Sequence, residues 1–139
     1  MRMPARSWLR PRHLALLVRA CLTVARVRTG LWLLPWSRVQ AMVAGPHRTR
    51  SRFSVDRLER AVRLASRVVP CATCLTQAVA LNRLLSSDGH ASTVLIGVRK
   101  DDAGFAAHAW VEWRGGPLLS SATEVSKYSR FLTLPPHVI

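Results

Sequence analysis

The spacing of the apolar residues changes at Gly89. Before this glycine, apolar side chains recur every three or four positions, as on one face of a helix, and after it they alternate with polar ones. Because these two periods suit different backbones, the chain is expected to form helices first and strands afterwards. The predicted fold class is therefore α+β, with N-terminal helices followed by a small antiparallel sheet.

Three helices are predicted before the change of period. The first covers residues 13–27, the second follows Ser54 as its N-cap and ends at Pro70, and the third begins close to Thr73. Cys74 then lies in the first turn of the third helix. In the first helix, an apolar and a basic face are predicted on opposite sides, formed by Leu14, Leu17, Val18, Cys21 and Ala25 and by Arg12, Arg19 and Arg26.

Three strands are predicted after Gly89. The segment STVLIGVRK (92–100) is apolar and β-branched, FAAHAWVEWR (105–114) alternates strictly, and PLLSS (117–121) folds back after a turn. In the alternating segment, His108 and Trp110 are expected on the same face.

Charge is distributed unevenly along the 139 residues, whose formal net charge is +14. Residues 1–55 contain eleven arginines and no acidic residue, whereas residues 56–139 carry ten basic and seven acidic residues. Since residues 44–52 (AGPHRTRSR) have the composition of an exposed linker, we predict a basic amphipathic helical arm over 1–52 and a domain over 53–139.

The three cysteines, Cys21, Cys71 and Cys74, favour a reducing compartment, because a small odd number cannot staple a secreted scaffold. Arginines interrupt the apolar run near the N-terminus, so neither a signal peptide nor a transmembrane helix is predicted. A cytoplasmic protein is the expectation.

Cys74 and His108 are the candidate catalytic pair. A thiol attacks carbonyl carbon as the thiolate, and an unassisted cysteine titrates at about 8.5, so a nucleophilic cysteine needs help from its surroundings. A helix N-terminus favours an anion at Cys74, and a histidine on a neighbouring strand can take the thiol proton and return it to the leaving amine. Together they predict a thiol hydrolase.

Other interpretations of these residues stay open. A lone buried cysteine is usually an inert apolar side chain, and Cys71 with Cys74 forms a C-x-x-C pair that suits redox chemistry or half of a zinc site. A helix precedes this pair where a thioredoxin has a strand, and the histidine spacing does not match a zinc finger, so no cofactor and no metal are predicted. The histidines predicted to be solvated are His13, His47, His90 and His137.

With these residues in place, the chain resembles the leader peptidase of lasso-peptide biosynthesis, the stand-alone protease B subunit of the transglutaminase-like superfamily. It is also similar to the C-terminal domain of the microcin-processing B protein. The resemblance covers about residues 70–119 in three ordered blocks, CLTQAVALNRLL, STVLIGVRKDD and FAAHAWVEWRGGPLL. It implies a papain/transglutaminase-like cysteine-protease domain over 53–139.

The resemblance further implies a Cys-His-Asp triad with Cys74 as nucleophile and His108 as base. The aspartate position of the family falls on Ser120 here, and Trp110, beside the histidine, is expected to wall the substrate cleft. The implied substrate is a ribosomally made precursor peptide of antibiotic biosynthesis. A small leader-binding partner protein presents it, and an ATP-dependent macrolactam cyclase receives the product.

The sequence leaves open which residue orients His108. A hairpin turn at 114–115 sets His108 opposite Ser121, and a turn at 115–116 sets it opposite Thr123. The candidates are therefore Ser120, Ser121, Thr123 and Glu124, and without any of them the enzyme works as a Cys-His dyad.

The basic arm is expected to dock the precursor or its carrier protein, with peripheral contact to an anionic membrane as the second choice. No nucleic-acid-binding motif accompanies the charge, so no nucleic acid is expected as a partner. Two other functions stay open for the whole chain: an acyl or amide transferase with the same dyad, and a non-catalytic basic adaptor.

Overall fold

The computed structural model describes residues 11–33, 35, 37–38, 53–70, 72–102 and 104–134. The described helices are α1 (Pro11–Leu33), α2 (Val55–Val68), α3 (Cys74–Ser87) and α4 (Ala122–Ser126), and the described strands are β1 (Thr93–Asp101), β2 (Gly104–Trp113), β3 (Gly116–Leu118) and β4 (Ser129–Leu134). The predicted α+β class is confirmed. Among the described helices, none has the apolar length that crossing a bilayer requires.

Side-chain caps explain where α2 and α3 begin. Ser54 and Thr73 are the N-caps, and the hydroxyl of each accepts a hydrogen bond of 3.3 Å from the backbone N–H three residues further on. α3 ends at a left-handed glycine, Gly89 (φ 85°), and the N–H of His90 donates to the Leu85 carbonyl at 2.8 Å, as in a Schellman motif. Both predicted starts and the predicted stop are confirmed.

The strands form one antiparallel sheet in the order β3-β2-β1-β4. β2 and β3 are joined by a two-residue turn, Arg114 and Gly115, whose positive φ values of 49° and 78° suit a tight hairpin. Trp113 therefore pairs with Gly116, which confirms the first of the two predicted registers. β4 pairs with the other side of β1 and, like α4, was not predicted.

α3 lies at the centre of the helical layer and packs against α1, α2, β1 and β2. The core that it shares with them is almost wholly aliphatic, and the two central strands contribute Val94, Ala109 and Val111 to it. Residues 44–52, where the sequence places the boundary of the arm, lie outside the described residues, and α1 itself packs into this common core.

The buried face of α1 is not the predicted one. Leu14 and Val18, predicted to be buried, are 45% and 60% exposed. The residues that are buried instead are His13, Leu16, Ala20, Val24, Val27 and Gly30. The prediction failed because α1 is apolar on two sides, so the helical period alone cannot select the side that meets α2 and α3. His13, predicted to be solvated, belongs to the buried side.

Gly97 lies in close contact with two aromatic residues, Trp110 and Tyr128. In β1 it lies opposite His108, and a Cβ at this position would be 2.8 Å from both the Trp110 ring and the Tyr128 Cβ. Only a glycine at this position therefore leaves room for both the Trp110 ring and Tyr128.

We predict that Gly97→Ala destabilises the protein by about 1–3 kcal/mol, because the new methyl group overpacks this contact. Gly116→Ala is the matched control, since its Cβ meets nothing closer than 3.8 Å, and it is expected to have a small effect. Urea unfolding followed by circular dichroism measures both. Equal unfolding midpoints for Gly97→Ala and the unmodified protein would contradict this interpretation.

Candidate active site

Cys74 is the first residue of α3 and is half-buried against the core. Thr73 caps the helix, and the side-chain Nε2 of Gln77 donates to the Ala72 carbonyl at 3.2 Å, which fixes the segment that leads into the cysteine. No role was predicted for Gln77. The Thr76 N–H is taken up by the Thr73 cap, whereas the N–H groups of Cys74 and Leu75 precede the first intrahelical hydrogen bond and can face an anion near the Cys74 thiol.

His108 lies on β2 and is hydrogen-bonded to Ser120, with 2.5 Å between Nε2 and Oγ. Because Nε2 makes this bond, Nδ1 is the ring nitrogen that is left for proton transfer. Ser120, which the sequence resemblance sets at the position of an aspartate, therefore meets the imidazole with a hydroxyl.

Ser121 and Glu124, two of the other candidates for orienting His108, have different partners. The Ser121 hydroxyl caps α4 and accepts from the Glu124 N–H at 3.1 Å, and the Glu124 carboxylate lies 3.6 Å from the Lys127 ammonium. Glu112, on the same strand as the histidine, pairs with Arg130 at 2.7 Å. These contacts leave Ser120 as the hydrogen-bond partner of His108 in the described part of the chain.

Leu119 explains why His108 meets Ser120 and not Ser121. Leu119 has φ 68°, a left-handed conformation that is costly for a leucine, and β3 has already ended at Leu118. The Leu119 N–H donates to the Glu59 carboxylate of α2 at 3.2 Å. This contact, between residues sixty positions apart, holds the turned backbone that carries Ser120 towards the sheet.

Two aromatic rings pack against the imidazole. Trp110 is stacked on His108 with 6.0 Å between ring centroids, and Tyr128 lies at 5.3 Å. Trp110 is 0% exposed, so it supports the imidazole from within the protein, and its place in the wall of a substrate cleft stays a prediction. Tyr128, the single tyrosine of the chain, was not predicted to belong to the site.

The hydrogen bond and ring contacts that the described residues give His108 involve Ser120, Trp110 and Tyr128, and Cys74 is not among them. α3, which begins at Cys74, nevertheless packs directly on β2, which carries His108. Cys71, His47 and His137 lie outside the described residues.

His90 is partly buried rather than solvated. Its Nε2 is hydrogen-bonded to the Phe53 carbonyl at 3.0 Å and lies 3.5 Å from the Asp88 carboxylate. Within the described ranges, no group of three or more His, Cys, Asp or Glu side chains is arranged to hold a metal ion.

Comparison with family models identifies the transglutaminase-like superfamily over residues 8–133. The chain therefore belongs to this superfamily, whose members are usually cysteine-dependent enzymes with a protease or transferase fold. The match includes α1 and most of β4, which lie outside the blocks on which the sequence resemblance rests. Comparisons with curated proteins and with solved structures gave no significant match.

We predict that Ser120→Ala shifts the Nε2 resonance of His108, because the hydroxyl that bonds this nitrogen is removed. Thr123→Ala, which removes a neighbouring exposed hydroxyl, is expected to leave the resonance unchanged. Nitrogen-15 correlation spectra of the imidazole measure both variants. A His108 signal that is the same in Ser120→Ala and the unmodified protein would show that the hydrogen bond does not form in solution.

Proposed function

We propose that this protein is a cysteine peptidase that removes the leader from a ribosomally made lasso-peptide precursor. Cys74 is the nucleophile, His108 the base and Ser120 the residue that positions the imidazole. The observation that carries the proposal is the hydrogen bond between His108 and Ser120. His108 lies on β2, and the helix that begins at Cys74 packs against this strand. Membership of a superfamily of cysteine-dependent enzymes supports the same chemistry.

The place of Cys74 at the start of α3 suits a nucleophile. The N-terminus of a helix carries roughly half a unit of positive charge, which favours the thiolate over the thiol. The same first-turn N–H groups can donate to the oxyanion that forms when the thiolate attacks a carbonyl. One helix end therefore serves the ionised sulfur and the tetrahedral intermediate.

The imidazole of His108 acts through Nδ1, because Nε2 is engaged by Ser120. In the reaction Nδ1 must reach the Cys74 sulfur, and catalytic hydrogen bonds of this kind commonly tighten only when substrate is bound. Trp110 and Tyr128 pack against the ring and restrict its plane while Nδ1 meets the Cys74 thiol.

The proposed reaction has two steps. The Cys74 thiolate adds to the carbonyl carbon of the bond between leader and core, and the C–N bond breaks as the His108 imidazolium gives its proton to the leaving amine. Water, deprotonated by His108, then hydrolyses the leader thioester and releases the thiol. The products are a leader with a free carboxylate and a core peptide with a free amine.

The substrate class rests on the sequence blocks CLTQAVALNRLL, STVLIGVRKDD and FAAHAWVEWRGGPLL, which resemble those of the lasso-peptide leader peptidase. Under this proposal a small leader-binding protein presents the precursor, and an ATP-dependent cyclase uses the freed amine to close a macrolactam. The proposed compartment is the reducing cytoplasm, where Cys74 stays a free thiol.

We predict that Cys74→Ala and His108→Ala each abolish cleavage of the cognate precursor while the fold is kept. Cys21→Ala is the matched control: it removes the other free thiol of the described residues, on α1, and should leave cleavage intact. Mass spectrometry of the precursor, incubated with its leader-binding protein, measures cleavage, and circular dichroism checks folding. Retained cleavage in a folded Cys74→Ala variant would exclude the proposal.

The same assay separates the other functions. A transferase would give the leader as an adduct with an added amine instead of a free carboxylate. For a non-catalytic adaptor, an alkylating reagent would label Cys74 no faster than Cys21, and His108→Ala would not change the labelling rate.

We predict that Ser120→Ala lowers kcat roughly 5-fold and that Ser120→Asp raises it by a similar factor, because a hydrogen bond to a charged group is worth about 1 kcal/mol more than a neutral one. The carboxylate stabilises the imidazolium as the hydroxyl cannot. Thr123→Asp adds the same charge nearby without replacing the His108 partner and is the control. A kcat that rises equally in both Asp variants would assign the effect to general charge.

A further inference from the structure

α1 is apolar on two opposite sides. Val27 is buried in the core and Val18 is exposed, and these residues are nine positions apart, which is about two and a half helical turns. Leu22 is 62% exposed and Trp32 78% exposed. We refer to the exposed apolar residues of this helix as the α1 stripe, which consists of Leu14, Val18, Leu22, Trp32 and Leu33.

A row of arginines runs beside the α1 stripe. Arg12, Arg19 and Arg26 recur every seven residues, so they stay on one side of the helix, between the buried face and the stripe. They do not lie opposite the exposed apolar residues, as the sequence had suggested, but flank them. α1 contains no acidic residue that could neutralise the row.

Two of these arginines line a cleft between α1 and α3. It has a volume of about 340 Å³, and none of the described residues that line it is acidic. Its lining consists of Arg19, Leu22, Thr23, Arg26, Arg83, Leu84 and Ser87. We call it the arginine cleft. Because Leu22 belongs to both, the cleft opens at the edge of the α1 stripe.

The arginine cleft has the charge and the donors of an anion site. Arg19 donates to the Ser87 hydroxyl, which bridges α1 to α3. Burial, and then the neighbouring Arg26 guanidinium, lower the pKa of Arg83, so cations crowd each other here. A phosphate among the three guanidinium groups would relieve this repulsion and accept their planar sets of N–H donors.

We propose that the α1 stripe and the arginine cleft bind the protein to the surface of an anionic lipid bilayer. α1 lies in the interface with its exposed apolar side chains among the acyl chains, and lipid phosphates meet the arginines.

A bilayer suits this surface better than a protein groove. The stripe lies on the outward side of a single helix, and its length from Leu14 to Leu33 is about 28 Å at 1.5 Å per residue. Apolar residues with tryptophan on one side and flanking arginines are typical of helices that lie in the plane of a membrane interface. Since no described helix is apolar enough to cross, the expected mode is peripheral.

Co-sedimentation of the full chain with lipid vesicles tests the proposal. The protein is expected to partition onto mixed vesicles of phosphatidylglycerol and phosphatidylcholine roughly 100-fold more strongly than onto pure phosphatidylcholine. The reason is that each of the three arginines in the cleft, Arg19, Arg26 and Arg83, contributes about a factor of five at an anionic surface. High salt should weaken the binding.

Paired variants separate the two parts of the surface. Val18→Gln with Trp32→Gln, two stripe residues that do not line the cleft, is expected to reduce partition at least 10-fold, as roughly expected for two exposed apolar side chains that enter the interface. Val68→Gln with Phe131→Gln removes equally exposed apolar residues elsewhere and should have no effect. Arg19→Gln with Arg26→Gln should reduce partition roughly 30-fold, whereas Arg60→Gln with Arg67→Gln on α2 should not.

Three results would overturn the proposal. The first is no partition onto phosphatidylglycerol vesicles, and the second is partition that the stripe and cleft variants leave unchanged. The third is a protein that does not bind vesicles but forms a dimer, or binds an acidic peptide, in a way that the stripe variants abolish. This result would assign the surface to a protein partner. Light scattering detects the dimer, and none of these variants touches Cys74, His108 or Ser120.

Discussion

The burial of α3 on nearly all sides is the constraint on which the site depends. Its apolar residues pack against α1, α2 and the two central strands. Asn82, the one buried side-chain amide of the described residues, donates to the backbone and the hydroxyl of Ser92 at 3.1 and 3.0 Å. An amide left unpaired at this depth would cost about 1–3 kcal/mol, so the bond fixes α3 against the start of β1. Because β1 pairs with β2, the cysteine at the helix start and the histidine on the strand share one rigid frame.

The hydroxyl partner of the histidine is positioned from a different direction. Ser120 follows a leucine in the left-handed conformation, and the backbone of that leucine is held by Glu59 on α2. α2 packs in turn against α3. The positions of the candidate catalytic residues thus depend on two helices that contact each other. The hydrogen bond from Leu119 to Glu59 joins residues sixty positions apart, so it forms only when the chain has folded.

Local signals made α2, α3 and the β2–β3 hairpin predictable, because the caps Ser54 and Thr73, Gly89 and the turn at 114–115 each act within a few residues. The buried side of α1 was not predictable, because only its neighbours decide between two apolar faces. β4 is a strand because it pairs with β1, and this pairing was not predicted from the local sequence. The choice of Ser120 among several hydroxyls likewise depends on Glu59, and the burial of His13 and His90 depends on tertiary contacts with Phe53.

A serine as the partner of His108, where the sequence resemblance implies an aspartate, changes more than the strength of one bond. A carboxylate only accepts a hydrogen bond, so it forces the proton of a neutral imidazole onto Nε2 and leaves Nδ1 free to take the thiol proton. A hydroxyl can accept from a protonated Nε2 or donate to a bare one, so it holds the ring in place without selecting the tautomer. Trp110 and Tyr128 fix the ring plane, yet an aromatic face cannot distinguish the two tautomers either. In this protein, packing and one hydroxyl set the position of the imidazole, while the group that meets Nδ1, such as the Cys74 thiol, decides which ring nitrogen carries the proton.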